Sequence, residues 1–459
     1  MNVRLMLVPA ALLLGSCKVG PDFKVPVASG GSHWKETRDT AARRLPDMWW
    51  KLFGDSKLNQ LVERSLAANN DLAAAKARVE TARALVGVDR ARLFPTLDLA
   101  ASANTAHTSA NVLTFPGMKL DNQDYRSSFK LAYDPDLWGR NKRLLEGSTA
   151  QAAATAALFD AQRLGLAAEV ARQYFVLRGL DAQAAVVVDT QASRKEALDL
   201  LQTRTDAGLS DGLATSRART ELELANNDLA LVQRQRGSAE HALAVLCGTR
   251  PADFDIPVKV VEPALPRIRV ALPAAVLLRR PDVRAAEQHL RAANAQIGVA
   301  EAAFYPNFSL VGEAGLESLS ASNFLNWESR VLSLGAGAVA PVFNAGSNKA
   351  QLAAARSTYD EALASYRQTL LVALREVEDA LVDLKGFARS RSALEAALAS
   401  SRDTRQLSQE RYTEGLTSYL EVVDADRTVL QTRLAIVLMD AQQRITLAAL
   451  AKALGGGWK

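Results

Sequence analysis

Residues 200–218 read LLQTRTDAGLSDGLATSRA, and residues 407–425 read LSQERYTEGLTSYLEVVDA. Aligned without gaps at an offset of 207, the two stretches are identical at seven of nineteen positions, which is more than a shared richness in alanine explains. Matching triplets, Leu93-Phe94-Pro95 and Phe304-Tyr305-Pro306, extend the repeat toward the start of each half. Two copies are too few for an open solenoid, where stacking needs at least three repeats. The pattern therefore predicts a duplicated half that joins a symmetric ring.

Each half is predicted to contain one long helical hairpin. Residues 136–250 and 342–459 contain no proline, and their apolar residues include the 4-3-4-3 spacing of a coiled-coil seam. Each hairpin would reverse at a glycine that tolerates the positive φ of a tight turn, Gly208 or Gly415. We expect the hairpins over residues 137–247 and 346–454, with a longer arm of about 100 Å at ~1.5 Å per residue.

Four shorter segments ahead of the helical hairpins alternate apolar and polar residues with period two. They cover about residues 96–105, 124–134, 307–317 and 330–340. Such segments are typical of transmembrane β-strands, although a soluble sheet with one buried face would produce the same alternation. Four strands cannot close a barrel, and open edges are not tolerated inside lipid, so other subunits would have to cover the edges. Three copies would supply twelve strands and twelve helices, and on physical grounds the trimer is one choice among small rings.

Residues 1–16 are predicted to be a signal peptide. The apolar stretch Leu5–Leu14 is too short to cross a ~30 Å hydrocarbon core as a helix. Leu14-Gly15-Ser16-Cys17 resembles a bacterial lipobox, so Cys17 would become the acylated first residue of a lipid-anchored segment, residues 17–55. An ordinary signal peptide with an incidental cysteine is the alternative. No other segment approaches 18 uninterrupted apolar residues, which argues against a transmembrane helix in the mature chain.

A proline-rich stretch separates the two halves of the mature chain. Six of the fifteen prolines fall between positions 251 and 281, which marks an irregular link. We therefore assign residues 56–250 to repeat 1, residues 251–280 to the link and residues 281–459 to repeat 2. The residue after the candidate lipidation site Cys17 is Lys18. In bacterial lipoproteins an aspartate at this position is associated with retention in the inner membrane, so a lysine permits delivery to the outer membrane.

Composition excludes several classes of function. The net charge of +5 comes from 55 basic and 50 acidic residues that are interspersed along the chain, so no basic block favours nucleic-acid binding. Cys17 and Cys247 are too far apart for a zinc spacing or a disulfide framework, and the four histidines are scattered singly. We therefore expect no metal site and no cofactor apart from the lipid on Cys17. An enzyme is also not expected, because the chain shows no H-E-x-x-H motif and no Cys–His pairing.

Several long motifs, in order along the chain, closely resemble the outer-membrane factor family of TolC-like exit ducts, in its lipoprotein branch. They are Cys17–Phe23, Asp134–Arg140, Arg279–Asp282 with Ala303–Pro306, Pro341–Gly346 and Arg411–Leu416. The resemblance implies a mostly α fold with a transmembrane β-barrel, in which each duplicated half has two strands and a helical hairpin. Three chains would form a 12-stranded barrel on a 12-helix periplasmic tunnel. It also implies an irregular belt that draws on the N-terminal segment, the interiors of the long arms and the link.

The family resemblance implies an acidic aperture where the tunnel closes at its periplasmic tips. The matching positions are Glu421 and Asp424, and three-fold symmetry would place six carboxylates around the opening, a cation-attracting ring. Leu213 and Leu420 are candidates for an apolar constriction. The alternative is that the two acids are solvated helix residues and that the two leucines pack the tip. In repeat 1 the matching positions hold Ala214 and Arg217, so the ionic contacts that close this aperture would be arranged differently.

The resemblance also implies partners at the hairpin tips. A periplasmic adaptor would dock on residues at the two turns, namely Arg204, Gly208, Leu209, Arg411, Gly415 and Leu416. The chain has no nucleotide-binding loop of the G-x-x-x-x-G-K type, so the energy for transport would come from an inner-membrane pump. The family resemblance implies a pump of the RND type. We therefore expect a passive trimeric conduit in the outer membrane for drugs or other toxic solutes. A conduit for protein or peptide secretion and a lipid-anchored coiled-coil scaffold without a pore are the alternatives.

Overall fold

The computed structural model describes residues 18–26, 33–37, 45–109, 111, 121–209, 212–260, 265–266, 268, 270–271 and 273–457. The predicted signal peptide at residues 1–16 and the candidate lipidation site Cys17 lie outside the described residues. Every structural statement below concerns the described ranges.

The two halves of the chain repeat the same order of elements. The first half contains α1 (Ser56–Ala68), α2 (Asn70–Ala91), β1 (Thr96–His107), β2 (Asp121–Tyr133), α3 (Arg140–Asp206) and α4 (Gly212–Leu246). The second contains α5 (Pro273–Arg279), α6 (Pro281–Ala302), β3 (Asn307–Ser318), β4 (Arg330–Val339), α7 (Ser347–Thr413) and α8 (Tyr419–Ala453). The long helices α3 and α7 each have 67 residues, and α4 and α8 each have 35. The predicted duplication of two strands and a helical hairpin is therefore confirmed.

The strands form one antiparallel sheet in the order β1-β2-β3-β4. Leu97 pairs with Leu131, Leu131 with Gly312, and Gly312 with Leu334, so apolar residues of all four strands share one face. On this face Leu332 and Leu334 are 85% and 84% exposed. A soluble sheet would bury such a face, but nothing in the described part of the chain covers these leucines, which favours a lipid-facing sheet.

Polar residues occupy the opposite face of the sheet. The guanidinium of Arg126 on β2 donates to the carboxylate of Glu313 on β3 at 2.7 Å, and the hydroxyl of Ser128 donates to the same carboxylate at 2.6 Å. Gly315 faces Ser128 across the pair, and a Cβ on Gly315 would lie 2.2 Å from the carbonyl oxygen of Ser127. Strands β2 and β3 therefore approach closely, with their charges paired.

The chain forms two compact units that do not coincide with the two repeats. One unit consists of residues 1–26, 78–156 and 285–366, and the other of residues 27–77, 157–284 and 367–459. Each unit draws on both halves of the sequence, because α3 and α7 each contribute residues to both. The contact-defined division thus differs from the division by sequence repeat.

The second unit has a buried core that draws on the N-terminal segment, α3 and the link. Trp49 and Trp50 from the N-terminal segment pack with Tyr174 and Phe175 of α3 and with Ile256 of the link, and all five side chains are buried. The link is not irregular throughout, because α5 forms its last turns.

A buried carboxylate attaches the link to the helices of the second unit. Asp181 on α3 is contacted by Arg178 and Arg236 at 2.7 Å each, and it accepts the backbone N–H of Lys259 at 3.1 Å. Arg178 also donates to the carbonyl of Pro257 at 2.8 Å.

Helix α8 is, among the described helices, the one long and apolar enough to cross a bilayer by length and composition, with 39% of its most apolar stretch buried. Such a test is also passed by core helices of soluble proteins, and α8 carries Arg433, Asp440 and Arg444. The expectation that no helix spans the membrane stays a prediction.

Candidate gate at the helical tips

The hairpin turns of the two repeats have the same backbone geometry. Gly208 has φ of 73° and Gly415 has φ of 76°. The amide of Leu209 donates to the carbonyl of Arg204 at 2.8 Å, and the amide of Leu416 donates to that of Arg411 at 2.9 Å. In addition, the amide of Gly208 donates to the carbonyl of Thr205, and the amide of Gly415 donates to the carbonyl of Tyr412. This pair of bonds is the Schellman motif, which requires a residue with positive φ after the helix.

The expected adaptor-docking residues are accessible at these turns. Leu209 and Leu416 are strongly exposed, as are both glycines and Arg411, while Arg204 is half-buried. Two exposed leucines at equivalent turns form an apolar surface on which another helical hairpin could pack. Their docking role stays a prediction.

A small apolar cluster holds the helices together behind the turns. Its buried members are Leu201 of α3, Ala214 and Ala218 of α4, and Tyr419, Val422 and Val423 of α8. The rings of Tyr412 and Tyr419 lie 5.4 Å apart. Burial, together with the nearby Asp426 carboxylate, raises the pKa of Tyr419 to about 12, so its hydroxyl stays protonated at neutral pH.

The candidate aperture residues lie on the opposite, exposed side of α8. Glu421 and Asp424 are exposed and three residues apart, so they share one face of the helix. Leu213 and Leu420 are also exposed, at 55% and 41%, and the tip cluster is built without them. Tip packing within one chain therefore does not explain these two leucines. Their role in a constriction, and that of the two acids in an aperture, stay predictions.

The two repeats differ at the position of the first acid. Ala214 aligns with Glu421 but is buried in the tip cluster, whereas Glu421 is exposed. Arg217, which aligns with Asp424, is half-buried. Exposed carboxylates at these positions thus come from α8 alone.

A chain of charges connects three helices beside the candidate aperture. Arg194 of α3 contacts the carboxylate of Glu221 on α4 at 2.9 Å and donates to its backbone carbonyl at 2.6 Å. Arg427 of α8 binds the same carboxylate at 2.5 Å and lies 3.8 Å from the carboxylate of Asp424. Arg194 and Glu221 are both buried, and the hydrogen bond to Glu221 raises the pKa of Arg427.

Sequence reasoning did not find this network. Glu221 and Arg427 stand 206 residues apart, and their aligned positions in the other repeat hold Thr428 and Thr220. No local pattern pairs such residues, because an ion pair between two helices depends on their rotation and axial offset. We call Arg194, Glu221, Arg427 and Asp424 the tip network.

A polar groove of about 700 Å³ lies next to the tip network, between α3, α7 and α8. Arg433 of α8 forms an ion pair with Asp189 of α3 at 2.6 Å, and Arg405 of α7 forms one with Asp426 of α8. Helix α8 is thus tied to α3 and α7 by ion pairs on one side and to α4 through Glu221 on the other.

The turn of the first hairpin also has the spacing G-x-S-x-G, at Gly208 to Gly212. In hydrolases this spacing places a serine on a sharp turn from a strand to a helix. Here the turn joins two helices, α3 and α4, and Ser210 with Asp211 lies outside the described residues. The motif therefore lacks the structural context that would support an active site.

The chain matches a family model described as outer membrane efflux protein over residues 61–249 and 272–456. The two matched ranges correspond to the two halves of the duplication.

Relatives cover nearly the whole chain. It is 33% identical over 458 residues to the solvent efflux pump outer membrane protein SrpC of Pseudomonas putida, covering 98% of this chain and 97% of SrpC. It is 33% identical over 460 residues to the outer membrane protein OprJ of Pseudomonas aeruginosa, covering 98% and 94%. Among solved structures, the outer-membrane channel OprN is similar with a TM-score of 0.87 and 33% identity, covering 96% of this chain and 100% of the OprN chain.

These similarities confirm the family resemblance, the mostly helical TolC-like fold, the role in efflux and the outer-membrane location that the sequence predicted. The barrel, the trimer and the lipid anchor stay predictions. None of the three relatives is named as a secretion channel or as a scaffold. The chain belongs to the outer membrane efflux protein family.

Proposed function

We propose that the chain is the passive exit channel of a tripartite efflux pump and that it works as a homotrimer. The observation that carries the proposal is the sheet, in which no described residue covers the apolar face and, within the described strands, β1 and β4 are each paired on one side alone. Inside lipid every strand edge must be paired, so copies of the chain would close the sheet into a barrel. Three copies supply twelve strands.

The helical hairpins would continue the barrel as a tunnel through the periplasm. Each chain contributes the four long helices α3, α4, α7 and α8, so three chains would supply twelve. In this arrangement the exposed face of α8 that carries Glu421 and Asp424 lines the narrow end of the tunnel. A ring of carboxylates there attracts cations and repels anions.

The partners of the trimer follow from the exposed hairpin turns. We infer that the leucine-bearing turns at Leu209 and Leu416 dock a periplasmic adaptor, and that the adaptor links the channel to an inner-membrane pump of the RND type. Cys17, acylated with a palmitate-type chain, would anchor the N-terminus in outer-membrane lipid. Catalysis has no part in this proposal, because a passive channel only lets solutes through and the pump supplies the energy for their transport.

The cargo is inferred from the class of relatives. SrpC is named for solvent efflux, and other relatives at 30% identity are named for toluene and antibiotic efflux. We propose that this chain passes small apolar or amphipathic toxic solutes of that kind. Deletion of its coding sequence should increase susceptibility to organic solvents and hydrophobic antibiotics, measured as growth inhibition and restored by the cloned chain. Unchanged susceptibility in a strain without related channels would contradict the proposed cargo.

The channel itself is tested by conductance across a planar lipid bilayer. Purified wild-type protein should show a small, cation-preferring conductance, and Glu421→Ala/Asp424→Ala should raise it and weaken the preference for cations. Asp71→Ala/Glu80→Ala, which removes the same charge from exposed positions on α2, is the matched control and should leave the conductance unchanged. A pore that ignores the α8 substitutions would refute the aperture assignment. No pore from a folded, inserted oligomer would favour the scaffold.

A further inference from the structure

The first described residues, Lys18–Phe23, are held by an extended set of contacts in the first compact unit. The amide of Val19 donates to the carbonyl of Trp138 at 3.1 Å, and the side-chain amide of Asn294 on α6 donates to the carbonyl of Pro21 at 2.8 Å. The guanidinium of Arg291 lies 5.1 Å from the centre of the Phe23 ring. A segment without helix or strand structure of its own is thus fixed against two helices.

Arg143 on α3 is the centre of these contacts. Its Nε donates to the carbonyl of Val19 at 3.0 Å, and its Nη2 donates to the carbonyl of Gly20 at 2.7 Å and contacts Asp22 at 3.2 Å. Its Nη1 donates to Glu146 at 2.9 Å, and its side chain is 0% exposed. A guanidinium buried this deeply is stable when its N–H groups are paired, and the N-terminal segment supplies most of the partners.

Three glycines make room for the segment. A Cβ on Gly298 of α6 would lie 2.7 Å from Nε of Arg143, and a Cβ on Gly20 would lie 2.5 Å from the Cα of Gly298. Gly20 also has φ of 87°, and a Cβ on Gly139 would lie 3.0 Å from the Cα of Lys18. The segment and its groove therefore meet backbone to backbone, a fit that side chains at these positions would prevent.

We propose that this groove is a binding site for the chain's own mature N-terminus and that Arg143 is the residue that positions it. The segment Val19-Gly20-Pro21-Asp22 is the ligand: Gly20 allows the close approach, the carbonyls of residues 19–21 accept hydrogen bonds, and Asp22 balances the charge. The site fixes Lys18, the residue that follows Cys17, and so sets the exit point from which the chain would continue toward residue 17.

The exit point lies at the base of the sheet. Lys18 is next to Gly139, and the neighbouring Trp138 donates its indole N–H to the carbonyl of Pro306 at 2.7 Å and stacks on Tyr305 at 4.7 Å, directly before β3 begins. The acyl chain on Cys17 would therefore enter lipid beside the ends of the strands. This consequence rests on the proposed acylation and membrane insertion, whereas the docking itself does not.

Hydrogen–deuterium exchange of the purified full chain, read by mass spectrometry of peptides from residues 18–26, tests the site. Wild-type protein should protect this segment at the amide of Val19, which donates to the carbonyl of Trp138. Arg143→Lys keeps the charge but loses the fork of donors, and Gly20→Ala removes the close approach, so each should speed exchange of the segment by about tenfold or more. Arg140→Lys, on an exposed arginine at the start of α3, is the matched control and should leave the exchange unchanged.

The outcomes separate a positioning role from general unfolding. Wild-type exchange rates in both Arg143→Lys and Gly20→Ala would overturn the proposal, and faster exchange in Gly20→Ala alone would overturn the role of Arg143. If Arg143→Lys also loosens α3 and α6, Gly20→Ala decides, because it changes the docked segment and substitutes no residue of α3 or α6.

The same measurement on Cys17→Ala, exported with an ordinary signal peptide, separates docking from acylation. A protected segment in this form supports a site that does not depend on the lipid, and an unprotected one overturns it. Loss of bilayer conductance would refute the proposed channel and leave the exchange result standing. Conversely, an undocked N-terminus with normal conductance would refute the site alone.

Discussion

At the scale of single residues, buried arginines attach one segment of this protein to another. Arg143 holds the N-terminal segment, Arg178 holds the link, and Arg194 holds Glu221 at the tips. A buried ion pair adds little net stability, because desolvation offsets most of the attraction. Removing one partner is destabilising, however, because it leaves a buried charge without a counter-charge. Such pairs therefore specify which segments meet more than they strengthen the fold.

The tip network makes a prediction that separates stability from gating. Glu221→Gln should lower the stability by about 3–5 kcal/mol because it leaves buried Arg194 without its counter-charge. Arg427→Ala removes a half-exposed partner, so its effect on stability should stay below about 1 kcal/mol while α8 loses its tie to α4 and the bilayer conductance rises. Thermal unfolding and conductance measure the two effects. Arg375→Ala, which removes an exposed i,i+4 pair with Asp379, is the control.

A second prediction at this scale concerns acid stability. Burial disfavours ionisation of Asp282, but the paired hydrogen bonds from Arg280, at 3.0 and 2.6 Å, outweigh it and lower the pKa of this carboxyl. Because the folded state then binds the proton more weakly than the unfolded state, the contribution is present above the unfolded pKa of about 3.9 and is lost as pH falls through the folded pKa.

Asp282→Asn should therefore be less stable than wild type at pH 7, and the difference should shrink as the pH is lowered below about 4. Chemical unfolding followed by circular dichroism at several pH values measures this. Parallel stability curves for the two proteins would contradict the assignment.

At the scale of elements, a glycine has opposite effects inside a long helix and at the turn that ends it. Gly386 lies inside α7 with open space around its Cβ position, while Gly415 ends the same helix with φ of 76° and equally open space. Since neither position is crowded, backbone conformation alone decides what alanine does there.

Gly415→Ala should destabilise the protein by about 1–2 kcal/mol because a Cβ disfavours the left-handed conformation. Gly386→Ala should instead stabilise it by up to about 1 kcal/mol through helix propensity. Urea unfolding of the two variants beside wild type measures the opposite signs. Equal effects would mean that the turn geometry at Gly415 is not maintained in solution.

How far the elements could be predicted depended on their periodicity. The proline-free heptad stretches predicted both hairpins close to their observed bounds, and the alternating segments predicted four strands, although β1 and β2 extend further than expected, to His107 and from Asp121. Helices α1, α2, α5 and α6 were not predicted. They are shorter, and packing on neighbouring helices outweighs a weak local signal in stabilising them.

At the scale of the whole molecule, the free sides of β1 and β4 are the features that require further copies of the chain. Either strand carries a row of backbone donors and acceptors that one chain leaves unpaired within the described sheet. In lipid each unpaired group costs several kcal/mol, so pairing β1 of one chain with β4 of the next is strongly favoured.

Cysteine pairs test this closure. With one cysteine at Ala101 on the apolar face of β1 and a second scanned along the same face of β4 at Leu332, Leu334 or Ala336, oxidation should give disulfide-linked dimers and trimers on denaturing gels. Phe129→Cys/Ala314→Cys, whose positions face each other within one chain, is the control and should give monomers. Monomers alone from every β1–β4 pair would contradict closure by edge pairing.

The sequence alone determined the duplication, the lengths of the long helices, the alternation of the strands, the signal-peptide prediction and the family. All of these depend on periodicity or on contiguous motifs, which a linear chain displays directly. The tertiary structure alone decided that Glu221 bridges Arg194 and Arg427, that Ala214 is buried where Glu421 is exposed, and that Arg143 binds the N-terminal segment. Those contacts join residues as much as 206 positions apart, and they depend on how helices are rotated and offset against one another, which no local spacing records.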